Sequence, residues 1–119
     1  MNEYLKVLRP GGMMCHHIDM SDHFQHKDKT LSVVDMLRYG DRDWAARTRD
    51  PQHYQNRLRR FEYAAMLRDS GWEVLKMDGE PFPPALEALK GMPIMPRYAG
   101  VSHDELAILW SMVIARRPA

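Results

Sequence analysis

The sequence predicts an α/β fold in which three strands and several short helices form one small domain. Three segments have the length and residue pattern of strands, at 13–20, 72–77 and 108–115. Helical patterns lie between the first two strands, which favours a parallel relation between them. The connection to the third strand is mostly irregular, so that strand could run antiparallel. A chain of 119 residues is long enough for one domain of this kind.

The first strand is the best defined because a strong local signal precedes it. Residues 2–8 place their leucines on one helical face. Pro10 and the two glycines after it end that helix in a tight turn. The strand at 13–20 has apolar residues at both its odd and its even positions, apart from two histidines and Asp19. This pattern predicts a strand that is covered by helices on both faces.

The segment after the first strand is polar and predicts loops and short helices. Residues 21–30 predict a loop. A short helix is expected over 31–39, with Thr30 as its N-cap and Gly40 at its end. The charged stretch 41–49 predicts a short helix at the surface.

The second half of the chain carries the clearest helix. Its apolar periodicity covers 55–70, and Gly71 follows where a helix-ending glycine belongs. One or two helical turns are expected over 85–90. Ser102 and Glu105 form a capping-box pattern, which predicts one further turn of helix before the last strand.

Composition excludes several classes of function. The net charge of +1 provides no overall field for nucleic acid or for an anionic membrane, so neither is expected as a partner. The longest apolar run, near 106–115, is too short to span a bilayer, and no signal peptide is visible. The single cysteine, Cys15, excludes an internal disulfide and fits a reducing compartment, so we expect a cytoplasmic protein.

Several motifs resemble class I S-adenosylmethionine-dependent methyltransferases. Residues 5–12 resemble the family's L-x-x-L-[KR]-P-G-G segment, which ends the helix before the fifth strand. Residues 18–24 are similar to the I-D-L-x-D-H-F continuation of one bacterial subgroup. The Asn-Arg-Leu-Arg at 56–59, the L-x-x-x-G-[FW] pattern at 67–72 and the terminal segment 104–118 resemble later parts of the family, in the same order.

The resemblance covers the C-terminal half of the family's domain. It implies a partial Rossmann-like sheet with strands in the order fifth, seventh, sixth, the last strand lying antiparallel in the middle. Residues 1–119 would then be a single partial domain, with a helical and loop insertion at 21–54. We therefore expect a fragment or truncated relative of such an enzyme.

The resemblance also defines an expected activity and its limits. A complete homologue would transfer a methyl group from S-adenosylmethionine to a small-molecule or glycan-like acceptor. No glycine-rich loop follows a strand and precedes a helix in this sequence, so we expect the chain alone to bind no cofactor and to be inactive. The family's first four strands have no counterpart. The edge of strand 13–20 is therefore expected to pair with a second copy or with the missing N-terminal half.

Candidate catalytic groups cluster after the first strand, where open α/β sheets bind ligands. Asp19, Asp22, His23 and His26 lie there. We expect His23 to act as a general base, with Asp22 or Asp19 orienting it, and Asp19 and His26 to contact the substrate. The alternative is structural: Asp22 caps the next turn and His23 packs against Phe24.

Further substrate contacts are expected from the insertion and from the start of the long helix. Asn56 and Arg57 could meet the acceptor, and Tyr39 and Trp44 could line a lid over the site. The alternative is that the arginine is a solvated or salt-bridged group and that the aromatic residues hold the insertion against the body.

Two other classes of function remain open at this point. Cys15, His16 and His17, with the acids and histidines after them, resemble a set of metal ligands, but His16 and His17 point to opposite faces of a strand. A non-catalytic interaction module, self-associating through the edge of strand 13–20, is the principal alternative to the methyltransferase hypothesis.

Overall fold

The computed structural model describes residues 2–119, and Met1, the first residue of the predicted domain, lies outside the described residues. The regular elements are α1 (Asn2–Val7), β1 (Met13–Asp19), α2 (His23–Lys27), α3 (Asp41–Arg47), α4 (Arg60–Asp69), β2 (Glu73–Met77), α5 (Pro83–Lys90), α6 (His103–Leu106) and β3 (Trp110–Arg116). Short 3-10 turns lie at Asp35–Arg38, Pro51–His53 and Pro96–Tyr98. The three strands fall where the sequence predicts them, within two residues.

The strands form one sheet in the order β1-β3-β2. The central strand, β3, is antiparallel to both neighbours, so β1 and β2 are parallel to each other. A register shift between Val74 and Lys76 interrupts the β2–β3 ladder. The predicted strand order, and the prediction that the last strand lies antiparallel in the middle, are both confirmed.

Helices cover one face of this sheet. Leu5 of α1 and Leu67 of α4 pack with Met14, Val113 and Ala115 in a small core. The other face of β1 is exposed, at Met13, Cys15, His17 and Asp19. The prediction that helices cover both faces of this strand is therefore wrong for the described residues. Apolar residues of β1 point to both faces of the sheet, but α1 and α4 lie on the same face.

A second core lies beside the sheet and joins segments that are distant in sequence. It combines the segment after β1 with α5, the third 3-10 turn and α6, and its most buried members include Met36, Leu37, Leu89, Tyr98, Leu106 and Leu109. The backbone N–H of Met95 also donates to Leu37 O at 2.9 Å. The insertion predicted at 21–54 therefore contributes about a third of this core, as far as the structure describes it.

Local hydrogen bonds correct four predictions in the segment after β1. The predicted loop at 21–30 contains α2, whose N-cap is Asp22. The helix expected over 31–39 is reduced to a 3-10 turn. Thr30 caps no helix, because its hydroxyl and its backbone N–H both donate to Asp28 Oδ1. Gly40 begins α3 as its N-cap instead of ending a helix.

The long helix is shorter than its periodicity predicts. It begins at Arg60 because residues 54–59 run without regular structure, and their buried polar side chains bond the backbone of other segments. It ends before Gly71, whose φ of +88° is a left-handed conformation that favours glycine. Among the described residues, no helix has the length and hydropathy needed to cross a membrane.

Candidate functional site

A polar cavity of about 180 Å³ lies at the carboxyl end of β1. It is lined by Asp19, Met20, His23, Tyr54, Gln55, Asn56, Leu58 and Tyr63. The lining comes from the end of β1, the start of α2, the segment before α4 and α4 itself. Of the eight residues predicted to form the site, three line this cavity: Asp19, His23 and Asn56.

Asp19 is held by the residues that follow it. Its Oδ1 accepts from the Ser21 backbone N–H at 2.9 Å and from Ser21 Oγ at 2.7 Å. Burial tends to raise the pKa of Asp19, but the two Ser21 hydrogen bonds and the nearby His26 and His23 together lower it. The carboxylate is therefore ionised at neutral pH, and within the described residues its Oδ2 has no hydrogen-bond donor.

His26 reaches Asp19 through a serine. Ser21 Oγ lies 3.1 Å from His26 Nε2. Because the Ser21 hydroxyl hydrogen donates to Asp19, its oxygen accepts from His26 when that ring carries a hydrogen on Nε2. His26 therefore does not deprotonate Ser21 in this arrangement, and Ser21 is not set up as a nucleophile. The hydrogen bonds that connect Asp19, Ser21 and His26 instead fix the Asp19 carboxylate at the cavity wall.

His23 lines the cavity, and its backbone is held by Gln55. Its N–H donates to Gln55 Oε1 at 3.0 Å. The ring centroid lies 5.9 Å from that of His26. Neither ring nitrogen of His23 has a hydrogen-bond partner in the part of the chain that the structure describes. Both ring nitrogens are therefore open to a hydrogen bond from a bound molecule.

Asp22 has a different environment from the one its predicted role requires. Its side chain is buried, and it accepts from three backbone N–H groups: Phe24 at 2.7 Å, Gln25 at 3.4 Å and Met36 at 2.7 Å. Burial raises the pKa of Asp22, and these three donors oppose that effect. No hydrogen bond joins Asp22 to the His23 ring in residues 2–119. The geometry matches the structural alternative, in which Asp22 caps the next turn.

Gln55 and Asn56 hold the outer wall of the cavity. Gln55 Nε2 donates to Ser21 O at 2.6 Å, and Trp44 Nε1 donates to Gln55 O at 3.1 Å. Asn56 Oδ1 accepts from Leu58 N and Tyr63 Oη, both at 3.1 Å. Since an amide oxygen has two lone pairs, Asn56 is left with its two N–H donors for a ligand.

The remaining predicted contacts lie away from the cavity. Arg57 is buried and donates to the carbonyls of Met36 and Tyr39 and to Asp41, and burial lowers its pKa. Trp44 is also buried, with its ring 6.0 Å from that of Tyr39. The Arg57 guanidinium lies 5.0 Å from the Trp44 ring. This geometry matches the alternative in which the aromatic residues hold the insertion against the body.

Four residues of this region were not predicted to belong to the site: Ser21, Tyr54, Gln55 and Tyr63. The only available signal is the polar and aromatic triplet Tyr54-Gln55-Asn56, which directly precedes a strong helical pattern. Nothing in that triplet shows that it folds back onto the end of β1.

A wider hollow of about 420 Å³ lies on the exposed face of the sheet. Its walls are His17, Asp78, Gly79, Glu80, Trp110, Ser111 and Met112, and we call it the Trp110 groove.

His16, the neighbour of His17, lies on the opposite face with its ring 5.1 Å from Tyr4, as the strand pattern predicts. In residues 2–119, no three His, Cys, Asp or Glu side chains are grouped as metal ligands.

In the family that this chain resembles, a glycine-rich loop after a strand lets the backbone approach the methionine part of S-adenosylmethionine. The glycines of this chain form no such loop among the described residues. The Gly11–Gly12 pair leads from α1 into β1, and Gly11 N donates to Arg117 O at 2.9 Å, so the turn is tied to β3. The turn from β1 into α2 is Met20-Ser21-Asp22 and contains no glycine. Within residues 2–119, the backbone therefore offers no glycine-rich loop between a strand and the helix after it.

Comparison with known proteins adds no relative to this description. A scan against protein-family models, a search of curated proteins and a search of solved structures each returned no match to this chain.

Proposed function

We propose that this chain is the acceptor-binding half of a class I S-adenosylmethionine-dependent methyltransferase, which acts on a small-molecule or glycan-like acceptor. One observation carries the proposal: the sheet order β1-β3-β2, with β3 antiparallel between two parallel strands, together with a polar cavity at the carboxyl end of β1. Open α/β sheets bind ligands at that end of their strands. The motif resemblance, which covers 5–12, 18–24, 56–59, 67–72 and 104–118, supports the same assignment.

We assign each cavity residue a separate role in binding and deprotonating an acceptor hydroxyl. In this proposal the hydroxyl proton passes to a ring nitrogen of His23, because this residue lines the cavity and its ring nitrogens have no other partner among the described residues. The ionised Asp19 carboxylate stabilises the imidazolium that results. Asn56 donates to an acceptor oxygen through its free N–H groups. Asp22 acts only through the backbone that it caps.

The cofactor lies outside the role that we propose for this chain. Since its glycines do not fit S-adenosylmethionine, other residues must hold that molecule, and we derive no step through it. Titration of S-adenosylmethionine against the isolated chain, followed by calorimetry, should show no saturable binding in the micromolar range. Micromolar affinity would contradict this division of the domain into an acceptor half and a cofactor half.

The test of activity is methyl transfer by the longest polypeptide that the coding region provides in frame with this chain. Radiolabelled S-adenosylmethionine should deliver its methyl group to an acceptor mixture. His23→Gln should lower kcat/KM by about 10²–10⁴-fold. The matched control, His103→Gln, changes an exposed histidine of α6 and should leave the rate unchanged. Absence of methyl transfer by the wild-type polypeptide would overturn the proposal, and an unimpaired His23→Gln variant would overturn the role of His23.

A second candidate function follows from the free edge of β1. The N–H of Met20 donates to Leu109 O at 2.6 Å, which identifies the even-numbered residues as hydrogen-bonded partners of β3. Cys15, His17 and Asp19 therefore turn their backbone groups away from β3, and no strand among the described residues pairs with them. Such an edge favours an interaction module that recruits another strand. Sedimentation of the purified chain should then show concentration-dependent association, and a monomer at every concentration would exclude it.

A further inference from the structure

The cavity and the Trp110 groove meet on the exposed face of the sheet. Asp19, which lines the cavity, is the direct cross-strand partner of Trp110, which lines the groove. His17 and Met112 form the next such pair in the groove. Side chains at directly opposite positions on one face are about 5 Å apart at Cβ. The two hollows are therefore adjacent parts of one surface that runs from Tyr54 to Glu80.

The polar groups of this surface select against an anionic ligand. Three carboxylates line it, from Asp19, Asp78 and Glu80, and no lysine or arginine of the described residues lines either hollow. Lys76 lies nearby, with Nζ 3.8 Å from Asp78 Oδ2. Arg57, which was predicted to contact the acceptor, lines neither hollow, because its guanidinium bonds backbone carbonyls and Asp41.

The unsatisfied groups suit a ligand with several hydroxyls. Asp19 Oδ2 can only accept, because its carboxylate is ionised, whereas Asn56 can only donate. A hydroxyl can both donate and accept. Neighbouring hydroxyls on one molecule can therefore donate to Asp19 and accept from Asn56. The cavity volume of 180 Å³ equals that of about six water molecules, which leaves room for one substituted six-membered ring.

Two aromatic side chains extend the surface beyond the cavity. Trp110 is 41% exposed, and its ring is supported edge-on by Phe82 at a centroid distance of 5.2 Å. Tyr54, at the other end, is 69% exposed. A fixed and exposed indole next to carboxylates suits the C–H face of a saturated ring whose hydroxyls point to the sides.

We propose that this surface binds a neutral oligosaccharide of at least two rings, with one ring in the cavity and the next against Trp110. The claim that this oligosaccharide is the methyl acceptor rests on the proposed function above. Its binding does not, because both hollows belong to this chain and need no cofactor.

The experiment is a glycan array that carries neutral and acidic mono- and oligosaccharides, probed with the purified chain. The binders should be neutral glycans of two or more rings. For the best of them, titration by protein-observed NMR should show shifts at both Asn56 and Trp110. Trp110→Ala should weaken binding about tenfold, as expected for the loss of one aromatic contact. Leu75→Ala, which removes an exposed apolar side chain outside both hollows, should leave the affinity unchanged.

Each other outcome overturns the inference. These outcomes are no binder on the array, binders that are all acidic or all single-ring, and equal effects of the two variants. The methyl-transfer test separates this inference from the proposed function. Methylation of a phenolic acceptor without glycan binding would overturn only the inference. Glycan binding by a polypeptide that transfers no methyl group would leave the site in place and overturn only the proposed activity.

Discussion

At the scale of single residues, buried polar side chains satisfy backbone carbonyls that regular secondary structure would otherwise satisfy. Arg59 is completely buried, and its guanidinium donates to Met20 O at 3.0 and 3.1 Å and to Ile108 O at 3.2 Å. These carbonyls lie where β1 ends and just before β3 begins. Burial lowers the pKa of Arg59 to about 10, which still leaves it charged at neutral pH. One side chain thus joins the two strand ends beside the cavity.

Replacing Arg59 should therefore cost more stability than replacing an exposed arginine. Arg59→Met leaves two buried carbonyls without donors, and we expect a loss of about 2–4 kcal/mol in the free energy of unfolding. Arg49→Met, at an exposed position, should change that free energy by less than about 0.5 kcal/mol. Urea denaturation followed by circular dichroism measures both. Equal midpoints for the two variants would contradict the role of Arg59.

The lowered pKa of Asp19 makes a prediction about pH. A carboxyl whose folded pKa lies below its ordinary value of 3.8 contributes stability above that value and loses the contribution as the pH falls through the folded pKa. Wild type should therefore exceed Asp19→Asn in stability at about pH 6, and the difference should shrink by about pH 3. Asp69→Asn, which changes an exposed acid at the end of α4, serves as the control. A difference that stays constant with pH would refute the assignment.

At the scale of elements, caps and turns decide where the helices lie. Asp22 begins α2 inside a segment whose composition predicts a loop, because its carboxylate accepts from the first turn. The same carboxylate accepts from Met36 N, so one side chain ties α2 to the 3-10 turn that follows. Helix α4 ends where Gly71 adopts a φ of +88° and the chain turns into β2.

Gly71 and Gly91 provide a matched pair for testing these helix ends. Gly71→Ala forces a side chain into the left-handed region and should lower the free energy of unfolding by about 1–2 kcal/mol. Gly91 ends α5 at a φ of −113° with open space around it, so Gly91→Ala should be neutral or stabilising by up to about 1 kcal/mol. Thermal unfolding of both variants measures the difference. Equal destabilisation would show that backbone conformation is not the cause.

At the scale of the whole molecule, the sheet is incomplete on one face and along one edge. The helices cover the face that contains Met14 and Val113, and the second core lies beside the sheet instead of over its other face. The exposed face holds the cavity and the Trp110 groove, and the free edge of β1 borders both. Ligand binding and strand pairing are therefore expected at neighbouring surfaces.

Proline substitution distinguishes the two sides of β1. The N–H of His17 faces the free edge, so His17→Pro should block strand pairing while the chain remains folded. His16→Pro removes a hydrogen bond to β3 and leaves a carbonyl of that strand without its donor, so it should lower the free energy of unfolding by about 1–3 kcal/mol. Sedimentation and circular dichroism together test this. Persistent association of a folded His17→Pro variant would show that the edge of β1 is not the contact.

The strands and most helix ends could be predicted from sequence, whereas the site could be predicted only in part. Asp19 is the last residue of an apolar strand and His23 follows four residues later, so their position at its carboxyl end is a local property of the chain. Asn56 was predicted from a motif, but Arg57, next to it, points into the protein. No local pattern shows that a charged side chain will be buried, because burial depends on which distant carbonyls it meets.

By itself, the sequence determined three strands, their flanking turns and the cluster of ionisable groups after the first strand, because alternation, proline and glycine act over a few residues. Only the tertiary structure decided which face of β1 stays open and which polar groups line the cavity. Arg59 meets carbonyls that are 39 and 49 residues away in the chain, and Gln55 meets one that is 34 residues away. Contacts of that range form when the chain packs, and they set the geometry of the site.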